Sequence, residues 1–410
     1  MHIANTTRKG VLFFALVATL FGSSVLAKPP APPPPIVAPY TIEFLGTLGG
    51  TRLTSPYGIN NHGDVVGMAD SGILIPAATE TWYHAFLNVD DGDGNRVMID
   101  LQDRFEDEGL IAPFNYQTGS GFQITSASDI NDAGQILLKG AQYGPGWSAR
   151  TIFRYTPGSI DEFGGLIPPR LNRCNTWISI SSSQWISSRY PHDLEAINDS
   201  GVCAGTALYN SDENQRHVSV WTGETGYGQT VDLGQLNGKS TTALDLNDSG
   251  QLCGYATGSN AWRYTVGVGF ENLGTLRNNS TTTASSLNNS GQVTGTCTLS
   301  NFTFRAFRYT DGLGMEDIGT LGGANNLGGD SINNYGDVVG RAQNSKGYMR
   351  LYLFTDTLGM IDLETQITNR AAPAKSGDFE KARVNDNGHV CGYSQSQGAF
   401  LLTPVNPLPR

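Results

Sequence analysis

A short pattern of apolar and polar residues recurs seven times along the chain. In each copy an apolar residue is followed by Asn, two further residues, Gly and then more apolar residues, as in the segment GINNHGDVVG that begins at Gly58. Asn followed three positions later by Gly is typical of a type I turn that joins two antiparallel strands, with the Gly left-handed. Each copy therefore predicts a strand, a tight turn and a second strand. The seven Asn residues are Asn60, Asn131, Asn198, Asn247, Asn288, Asn333 and Asn385.

Two more strands are predicted in each repeat. An aromatic segment such as RAFRYT from Arg305 comes first, and a Gly-containing turn then leads to a short acidic and apolar segment such as MEDIG from Met315. In the second repeat we expect SIDEFG from Ser159 to be this fourth strand. Four short antiparallel strands in a repeat of this length are typical of one β-propeller blade.

The two ends of the chain supply complementary parts of one repeat. The last copy stops at its third strand, and TIEFLGTLGG from Thr41 matches the missing fourth strand. The sequence therefore predicts an all-β protein, a single seven-bladed β-propeller over residues 41–403 that is closed by the N-terminal strand, with a C-terminal tail over residues 404–410. The alternative is an open solenoid with two capped ends.

Composition agrees with this architecture, since 51 Gly and only 15% charged residues suit short strands joined by many turns. The five Cys are an odd number, so we do not expect a disulfide framework, although one pair could still form a disulfide. Cys253 and Cys391 stand where other repeats have Val66 and Val339, and we interpret them as small buried apolar residues.

The N-terminal segment predicts export. Residues 1–27 read as a signal peptide, and residues 28–39 as a Pro-rich linker. Removing residues 1–27 takes away Arg8 and Lys9 and no acid, which leaves 24 basic against 37 acidic residues, a net charge of −13. Such a charge disfavours nucleic acid and anionic membranes. We expect a monomer without a membrane span, in the periplasm or outside the cell.

Three motifs carry a family resemblance. They are His84-Ala85-Phe86, the segment DIGTLGG from Asp317, and the I-N-x-x-G-x-V-V-G segments from Ile59 and Ile332. On these residues the sequence resembles exported bacterial proteins with HAF repeats, over nearly all of residues 41–403. The resemblance implies an extracellular location and a repeat architecture, and it implies no particular chemistry.

Three long connections join a fourth strand to the next blade, over Asp103–Gln123, Gly165–Asp193 and Glu364–Glu380. All three emerge on one face of a propeller, and long insertions on one face are commonly the binding surface. The second connection combines Arg with aromatic residues, which suits a glycan or a protein partner. Its candidate ligand-binding residues are Arg170, Arg173, Trp177, Trp185, Arg189, Tyr190 and His192. The alternative is a salt-linked clasp with the acidic residues Glu106 to Glu108 of the first connection.

Two further groups of residues have a functional and a structural interpretation. Asp91, Asp93 and Asn95 alternate in a turn and could offer oxygen ligands to calcium, or they could form a solvated Gly-Asp hairpin. We expect no other cofactor. The seven Asn residues could present carboxamides to a ligand, but an Asx-type hydrogen bond within each turn explains them locally.

The sequence shows neither an HExxH motif nor a GxSxG motif, and no catalytic residue is assigned. We therefore expect an exported, non-enzymatic propeller that binds a protein or polysaccharide through its long loops. One alternative is a carbohydrate-active propeller enzyme, a glycoside hydrolase or lyase, which uses carboxylates from separate blades or His192. Another is a structural repeat protein of the cell surface.

Overall fold

A computed structural model provides the structure of the protein. It describes residues 37–52, 54–75, 81–144, 147–160, 166–167, 170–176, 178–181, 184–186, 191–208, 216–222, 230–258, 260–299, 301–370 and 377–410.

The described residues form seven large antiparallel sheets, which we number as blades in chain order, and one separate two-stranded sheet. Strand β1 (Tyr40–Phe44) comes first. Blade 1 has β2 (Ser55–Ile59), β3 (Val65–Leu74), β4 (Thr81–Asp90) and β5 (Arg96–Asp100). Blade 2 has β6 (Gly121–Ile130), β7 (Ile136–Gly144) and β8 (Trp147–Thr156), with the short strands β9 (Ser159–Ile160), β10 (Leu166–Ile167), β11 (Arg170–Thr176), β12 (Ile178–Ser181) and β13 (Gln184–Ile186) after them. Blade 3 has β14 (Pro191–Ile197), β15 (Cys203–Leu208), β16 (Arg216–Trp221) and β17 (Thr230–Gly234).

The remaining blades follow the same order. Blade 4 has β18 (Thr241–Leu246), β19 (Leu252–Ala256), β20 (Ala261–Thr265) and β21 (Gly269–Asn272). Blade 5 has β22 (Thr281–Leu287), β23 (Val293–Thr298), β24 (Phe304–Thr310) and β25 (Gly314–Asp317). Blade 6 has β26 (Gly322–Ile332), β27 (Val338–Asn344), β28 (Met349–Thr355) and β29 (Gly359–Asp362). Blade 7 has β30 (Phe379–Val384), β31 (Val390–Ser394) and β32 (Gly398–Pro404). Helix α1 (Leu101–Asp107) and a 3₁₀ turn (Leu363–Thr365) follow blades 1 and 6.

The predicted closure of the ring is confirmed. Strand β1 pairs antiparallel with β32, from Tyr40 opposite Pro404 to Phe44 opposite Phe400. The sheet of blade 7 therefore runs β1-β32-β31-β30, and its outer strand comes from the other end of the chain. This pairing covers the edge that an open array would expose. The protein is an all-β, seven-bladed propeller.

Blade 2 departs from the predicted strand order. The segment expected as its fourth strand, from Ser159, pairs instead with Leu166–Ile167 in a separate two-stranded sheet. The strand that pairs with β8 is β11, so the fourth strand of this blade lies later in the chain than its repeat pattern indicates. Strands β12 and β13 add a hairpin to the same sheet, with Ile178 opposite Ile186. Because the chain between β8 and β14 is long, β11 can fold back and pair with the edge of β8 in place of the adjacent β9.

The turns have the predicted geometry. In blade 1 the backbone amide of Asn60 donates to the carbonyl oxygen of Asp64, and the amide of Gly63 donates back to the carbonyl oxygen of Asn60. Gly63 is left-handed, with φ of 85°, which only Gly adopts without steric cost. The same two bonds occur in all seven turns.

The apolar core lies in layers between neighbouring blades. Trp262 of blade 4, for example, is fully buried and belongs to the same apolar cluster as Ala204 and Val218 of blade 3. Cys203, Cys253, Cys297 and Cys391 are buried free thiols, and burial raises the pKa of Cys391 to about 12.

Arg side chains also join blades. The guanidinium of Arg263 in blade 4 donates to the carbonyl oxygen of Gly291 in the turn of blade 5, at 2.7 Å, and lies over the ring of Tyr309. Arg154 and Arg308 make equivalent contacts with Gly201 and Gly336. The recurring Arg of the aromatic segment thus connects its blade to the next one.

Residues of the predicted linker and of the predicted C-terminal tail pack against the propeller. Gln366 accepts hydrogen bonds from the backbone amides of Val37 and Ala38, at the end of the predicted linker. In the predicted tail, Leu408 is buried and Arg410 contacts Asp337 and lies over the ring of Tyr335. Within the described residues, no helix has the length and apolarity needed to cross a bilayer.

Candidate functional site: the central channel

The seven Asn side chains form a closed ring of hydrogen bonds at one end of the central channel. Each side-chain amide donates to the backbone carbonyl oxygen of the Asn in the next blade, over distances of 2.8 to 3.3 Å. The donors are Asn60, Asn131, Asn198, Asn247, Asn288, Asn333 and Asn385, and the last donates to Asn60. We call this end of the channel the turn mouth.

The same Asn residues cap their own turns. The side-chain oxygen of Asn247, for example, accepts from the backbone amide of Gln251 at 2.8 Å. Both polar atoms of the buried carboxamide are therefore satisfied within the protein, which leaves little capacity for a ligand. These bonds account for each Asn inside the fold.

The residues that follow the Asn form a second closed ring. Each backbone amide here donates to a side-chain oxygen in the next blade, as Asp199 does to Asp248 at 2.8 Å. The members are Asn61, Asp132, Asp199, Asp248, Asn289, Asn334 and Asp386. Four carboxylates therefore surround the turn mouth, and one oxygen of each is occupied by a backbone amide.

The opposite end of the channel opens into a wider cavity of about 450 Å³, which we call the funnel. It lies on the face where the connections from fourth to first strands emerge, because the Asn turns occupy the other end of the first strands. The first and third long connections predicted from the sequence start on this same face. The second was predicted wrongly in part: Arg170 pairs with Thr156, at the end of β8 beside the Asn turn, so β11 begins at the turn mouth and only the segment after Thr176 leads from the funnel face to blade 3.

A β-bulge in each innermost strand places one residue at the funnel. The pairing register between first and second strands skips one residue in every blade near this point. Bulges interrupt the two-residue alternation of a strand and redirect a side chain. The seven skipped residues all line the funnel; they are Tyr57, Ser128, Glu195, Leu244, Ser285, Asp330 and Lys381.

The funnel carries charges of both signs. Lys139 and Glu195 form an ion pair, with 3.1 Å between Nζ and Oε1. Arg383 donates from Nη1 to the backbone carbonyl oxygen of Asp330 at 3.0 Å. Burial raises the pKa of the Asp330 carboxyl, although Arg341 and Arg383 act against this shift.

Two more carboxyl groups lie deeper in the channel. Asp129 accepts from the backbone amides of Ile130 and Ile197, and burial nevertheless raises its pKa to about 7. Asp245 accepts from Leu246, Leu287 and the hydroxyl of Ser286, and burial also raises its pKa. Each carboxyl bonds to the blade that follows its own, so these groups join neighbouring blades.

The predicted ligand-binding residues of the second connection are only partly covered by the structure. Trp177, Arg189 and Tyr190 lie outside the described residues. For Arg173, Trp185 and His192 the structure describes the backbone alone, in β11, β13 and β14. Arg170 is exposed at the start of β11. Their role as a binding surface stays a prediction, and so does their clasp with the first connection.

The first connection contains an unpredicted helix with internal ion pairs. Asp100 caps α1 by accepting from the amides of Gln102 and Asp103, and Leu101 and Phe105 are buried beneath it. An Asn- or Asp-type cap before apolar residues four positions apart is the sequence signal for such a helix.

The acidic residues of the first connection have partners close by. Arg104 pairs with Glu108 at 2.9 Å, and Glu106 accepts from the backbone amide of Phe114.

His84, the His of the HAF tripeptide, is buried in a hydrogen-bonded chain. Its Nδ1 lies 2.7 Å from a carboxylate oxygen of Asp100, and its Nε2 lies 3.1 Å from the Tyr116 hydroxyl. Asp103 lies close enough to make this a possible three-residue metal site among the described residues. In blade 3, His217 pairs with Asp232 in the same way, so the pair recurs as a link between third and fourth strands.

The Asp91 turn is held by its own hydrogen bonds. One carboxylate oxygen of Asp91 accepts from the backbone amides of Asp93 and Asn95, and the other accepts from the Asn95 side chain at 3.2 Å. These hydrogen bonds lower the pKa of Asp91, and the bond from the Asp93 amide has the largest effect. A calcium ion at Asp91, Asp93 and Asn95 stays a prediction.

Comparison with known proteins identifies no family. No family model matches the chain, and no curated protein matches it. Among solved structures it is similar to prolyl oligopeptidase B from Galerina marginata, with 11% identity and a TM-score of 0.48, over 87% of this chain and 50% of that one. The chain thus spans about half the length of that peptidase.

Two further solved structures match over most of both chains. One is a chain of the mitotic checkpoint complex, with 10% identity and a TM-score of 0.44, over 97% of this chain and 99% of that one. The other is TolB from Acinetobacter baumannii, with 13% identity and a TM-score of 0.38, over 90% and 97%.

Proposed function

We propose that the protein is an exported, non-enzymatic propeller that binds a glycan or protein partner in the funnel and on the surrounding insertion face. One observation carries the proposal. The seven bulge residues all line one cavity, six of them at equivalent positions, yet their residue types differ from blade to blade, with only Ser occurring twice.

The contrast with the turn mouth supports a binding role. Seven identical Asn residues form the ring there because the same hydrogen bonds are needed at every blade. A purely structural requirement at the funnel would likewise favour one residue type in all repeats. The mixture of a phenol, hydroxyls, an alkyl group, carboxylates and an ammonium group instead provides an asymmetric surface for a ligand that lacks sevenfold symmetry.

The cavity has a suitable size and position. Its volume of about 450 Å³ falls in the range of ligand sites, which is roughly 300–1,000 Å³. The long connections that follow β5 and β29 start on the funnel face and add to its rim. We also propose that the protein belongs with the HAF-repeat proteins and acts in the periplasm or outside the cell.

The test is a binding screen with a blocked funnel. The full chain, expressed for export and purified, is screened against glycans, envelope polymers and peptides, and turnover of each hit is assayed. The variant Ser285→Trp places an indole in the funnel and is expected to abolish binding of the true partner. Ser345→Trp is the matched control, because Ser345 is exposed on the same face outside the funnel.

Three results would count against the proposal. Hits that all bind equally to Ser285→Trp and to the parent would place binding outside the funnel. Release of products from a bound glycan would favour the carbohydrate-active enzyme. A screen without hits would favour the structural repeat protein.

A further inference from the structure

We infer that the funnel ligand carries a sugar carboxylate and that Lys381 and Arg383 bind it, an inference that rests on the proposed function. The two residues lie two positions apart on β30 and both line the funnel. Three features support this assignment: the local backbone of blade 7, the hydrogen-bonding capacity of the two cations, and the polar groups that line the rest of the funnel.

The bulge of blade 7 is displaced from its position in the other blades. In the other six blades the skipped residue stands three positions before the Asn, as Ser285 stands before Asn288. In blade 7 the skipped residue is Lys381, four positions before Asn385. Ala382 then takes the buried place, and Lys381 and Arg383 both face the cavity. This displacement is what sets two cations side by side.

The displacement requires an unfavourable backbone conformation. Lys381 has φ of 43°, in the left-handed region that side chains other than those of Gly, Asn and Asp rarely adopt. Such residues persist where the surrounding structure holds them, and they concentrate at functional sites. A Gly or Asn would fit this backbone better, and we attribute the Lys at this position to its side chain in the funnel.

The two cations have free hydrogen-bonding capacity. Lys381 is exposed and has no hydrogen bond or ion pair with any residue that the structure describes. The guanidinium of Arg383 makes one hydrogen bond within the same part of the chain, from Nη1 to the Asp330 carbonyl oxygen. That bond orients the guanidinium and leaves its remaining N–H groups for a carboxylate, whose two oxygens they match.

The nearby anions are engaged elsewhere. Glu195 pairs with Lys139, and the Asp330 carboxylate accepts from the backbone amide of Ala382 at 3.3 Å. Asp129 and Asp245 accept hydrogen bonds from backbone amides of their own blade and of the next blade, and neither forms a hydrogen bond with Arg383. A ligand carboxylate at the rim therefore meets two cations.

The rest of the funnel suits a sugar ring. The hydroxyl groups of Ser126, Ser128 and Ser285 can bond to sugar hydroxyls, and Tyr57 adds an aromatic ring and a further hydroxyl. The volume admits a single ring with its substituents. Because the exported chain carries a net charge of −13, a dense polyanion is repelled from the whole molecule. One acidic sugar, at the end of a chain or between neutral sugars, fits these conditions.

The experiment compares three probes that differ only at the carboxylate. Methyl β-glucuronide, its methyl ester and methyl β-glucoside are titrated into the full chain by calorimetry. We expect the glucuronide to bind at least tenfold more tightly than the other two. Arg383→Gln and Lys381→Gln are each expected to weaken glucuronide binding about tenfold, and to leave the ester unchanged. Lys346→Gln removes an exposed cation outside the funnel and should change nothing.

The outcomes separate this inference from the proposed function. Equal binding of glucuronide and ester, lost in Ser285→Trp, would overturn the carboxylate inference and leave funnel binding intact. Binding of acetyl-Ala-Ala through its terminal carboxylate, without binding of the glucuronide, would overturn the sugar class. Absence of glucuronide binding overturns the inference in every case. If Arg383→Gln fails to fold, Lys381→Gly provides the second test, because Gly accepts the left-handed backbone.

Discussion

The side-chain amide of Asn385 donates to the carbonyl oxygen of Asn60 at 2.8 Å and so joins the last repeat to the first. Six equivalent bonds complete a ring in which every blade contacts the next through the same two groups. The strand pairing of β1 with β32 closes the outside of the molecule. The propeller is therefore closed twice, at its axis and at its rim.

The Asn247→Asp variant separates the two roles of the ring residue. An aspartate still accepts from the amide of Gln251, but its carboxylate cannot donate to the carbonyl oxygen of Asn288, which Asn247 reaches at 2.9 Å. We expect a loss of about 1–3 kcal/mol at pH 7, because a buried acceptor loses its donor and a charge faces it. Denaturant unfolding measures this loss.

The pH dependence of the same variant checks the cause. The carbonyl oxygen disfavours the charged carboxylate, so the folded-state pKa of the new Asp lies above its unfolded value of about 3.9. Lowering the pH towards 4 should therefore recover stability relative to the parent. Ser249→Ala, an exposed change in the same turn, is the control. A loss that stays constant from pH 7 to pH 4 would argue against the missing donor.

Removing the rim closure should destabilise the whole ring. Tyr40 is fully buried in β1, and its hydroxyl donates to the carbonyl oxygen of Gly388 at 3.0 Å. Tyr40→Phe is expected to cost about 1–3 kcal/mol through the unsatisfied carbonyl group. Deletion of residues 37–44 exposes the edge of β32 and should lower the melting temperature much further. An unchanged melting temperature in the deletion would mean that β1 does not close the propeller.

Asp129 should make the protein less stable as the pH rises. Its folded-state pKa of about 7 lies above the unfolded value near 3.9. The protonated carboxyl therefore contributes fully to the free energy of unfolding below about pH 4, and this contribution is lost as the pH rises through 7. Asp129→Asn has no proton to lose, and the difference in stability between parent and variant should therefore vary over this interval. Unfolding free energies at several pH values test this. Asp107→Asn, at an exposed site without an ion pair among the described residues, should show no comparable change.

Lys381→Gly should increase stability while it removes a cation from the funnel. A non-Gly residue in the left-handed region costs about 1–2 kcal/mol, and Gly avoids this cost at some expense in chain entropy. We expect a net gain of up to about 1 kcal/mol in unfolding free energy together with weaker glucuronide binding. Lys381→Gln keeps the strain and should show the binding loss without the gain. A destabilised Lys381→Gly would show that the Lys side chain serves packing.

The amino-acid sequence by itself determined the turns, the strands and the number of blades. An Asn and a Gly three positions apart specify a turn through hydrogen bonds within five residues, so the seven hairpins and their left-handed Gly residues were predictable. The number of blades and the closing strand followed from counting strands, because each sheet needs its fourth strand. The recurring Arg and His were visible as repeats, but their partners in the next strand or blade were not.

Contacts between distant segments were decided only by the tertiary structure. The Asn ring depends on carbonyl groups 41 to 71 residues away along the chain, or 325 at the closure, and no local pattern encodes that distance. The fourth strand of blade 2 depended on which segment reached the edge of β8. The funnel arises because bulges turn seven residues towards one axis, whereas strict alternation along each strand would not single them out. Their chemical variety was present in the sequence, and it acquired meaning only once the fold brought these side chains together.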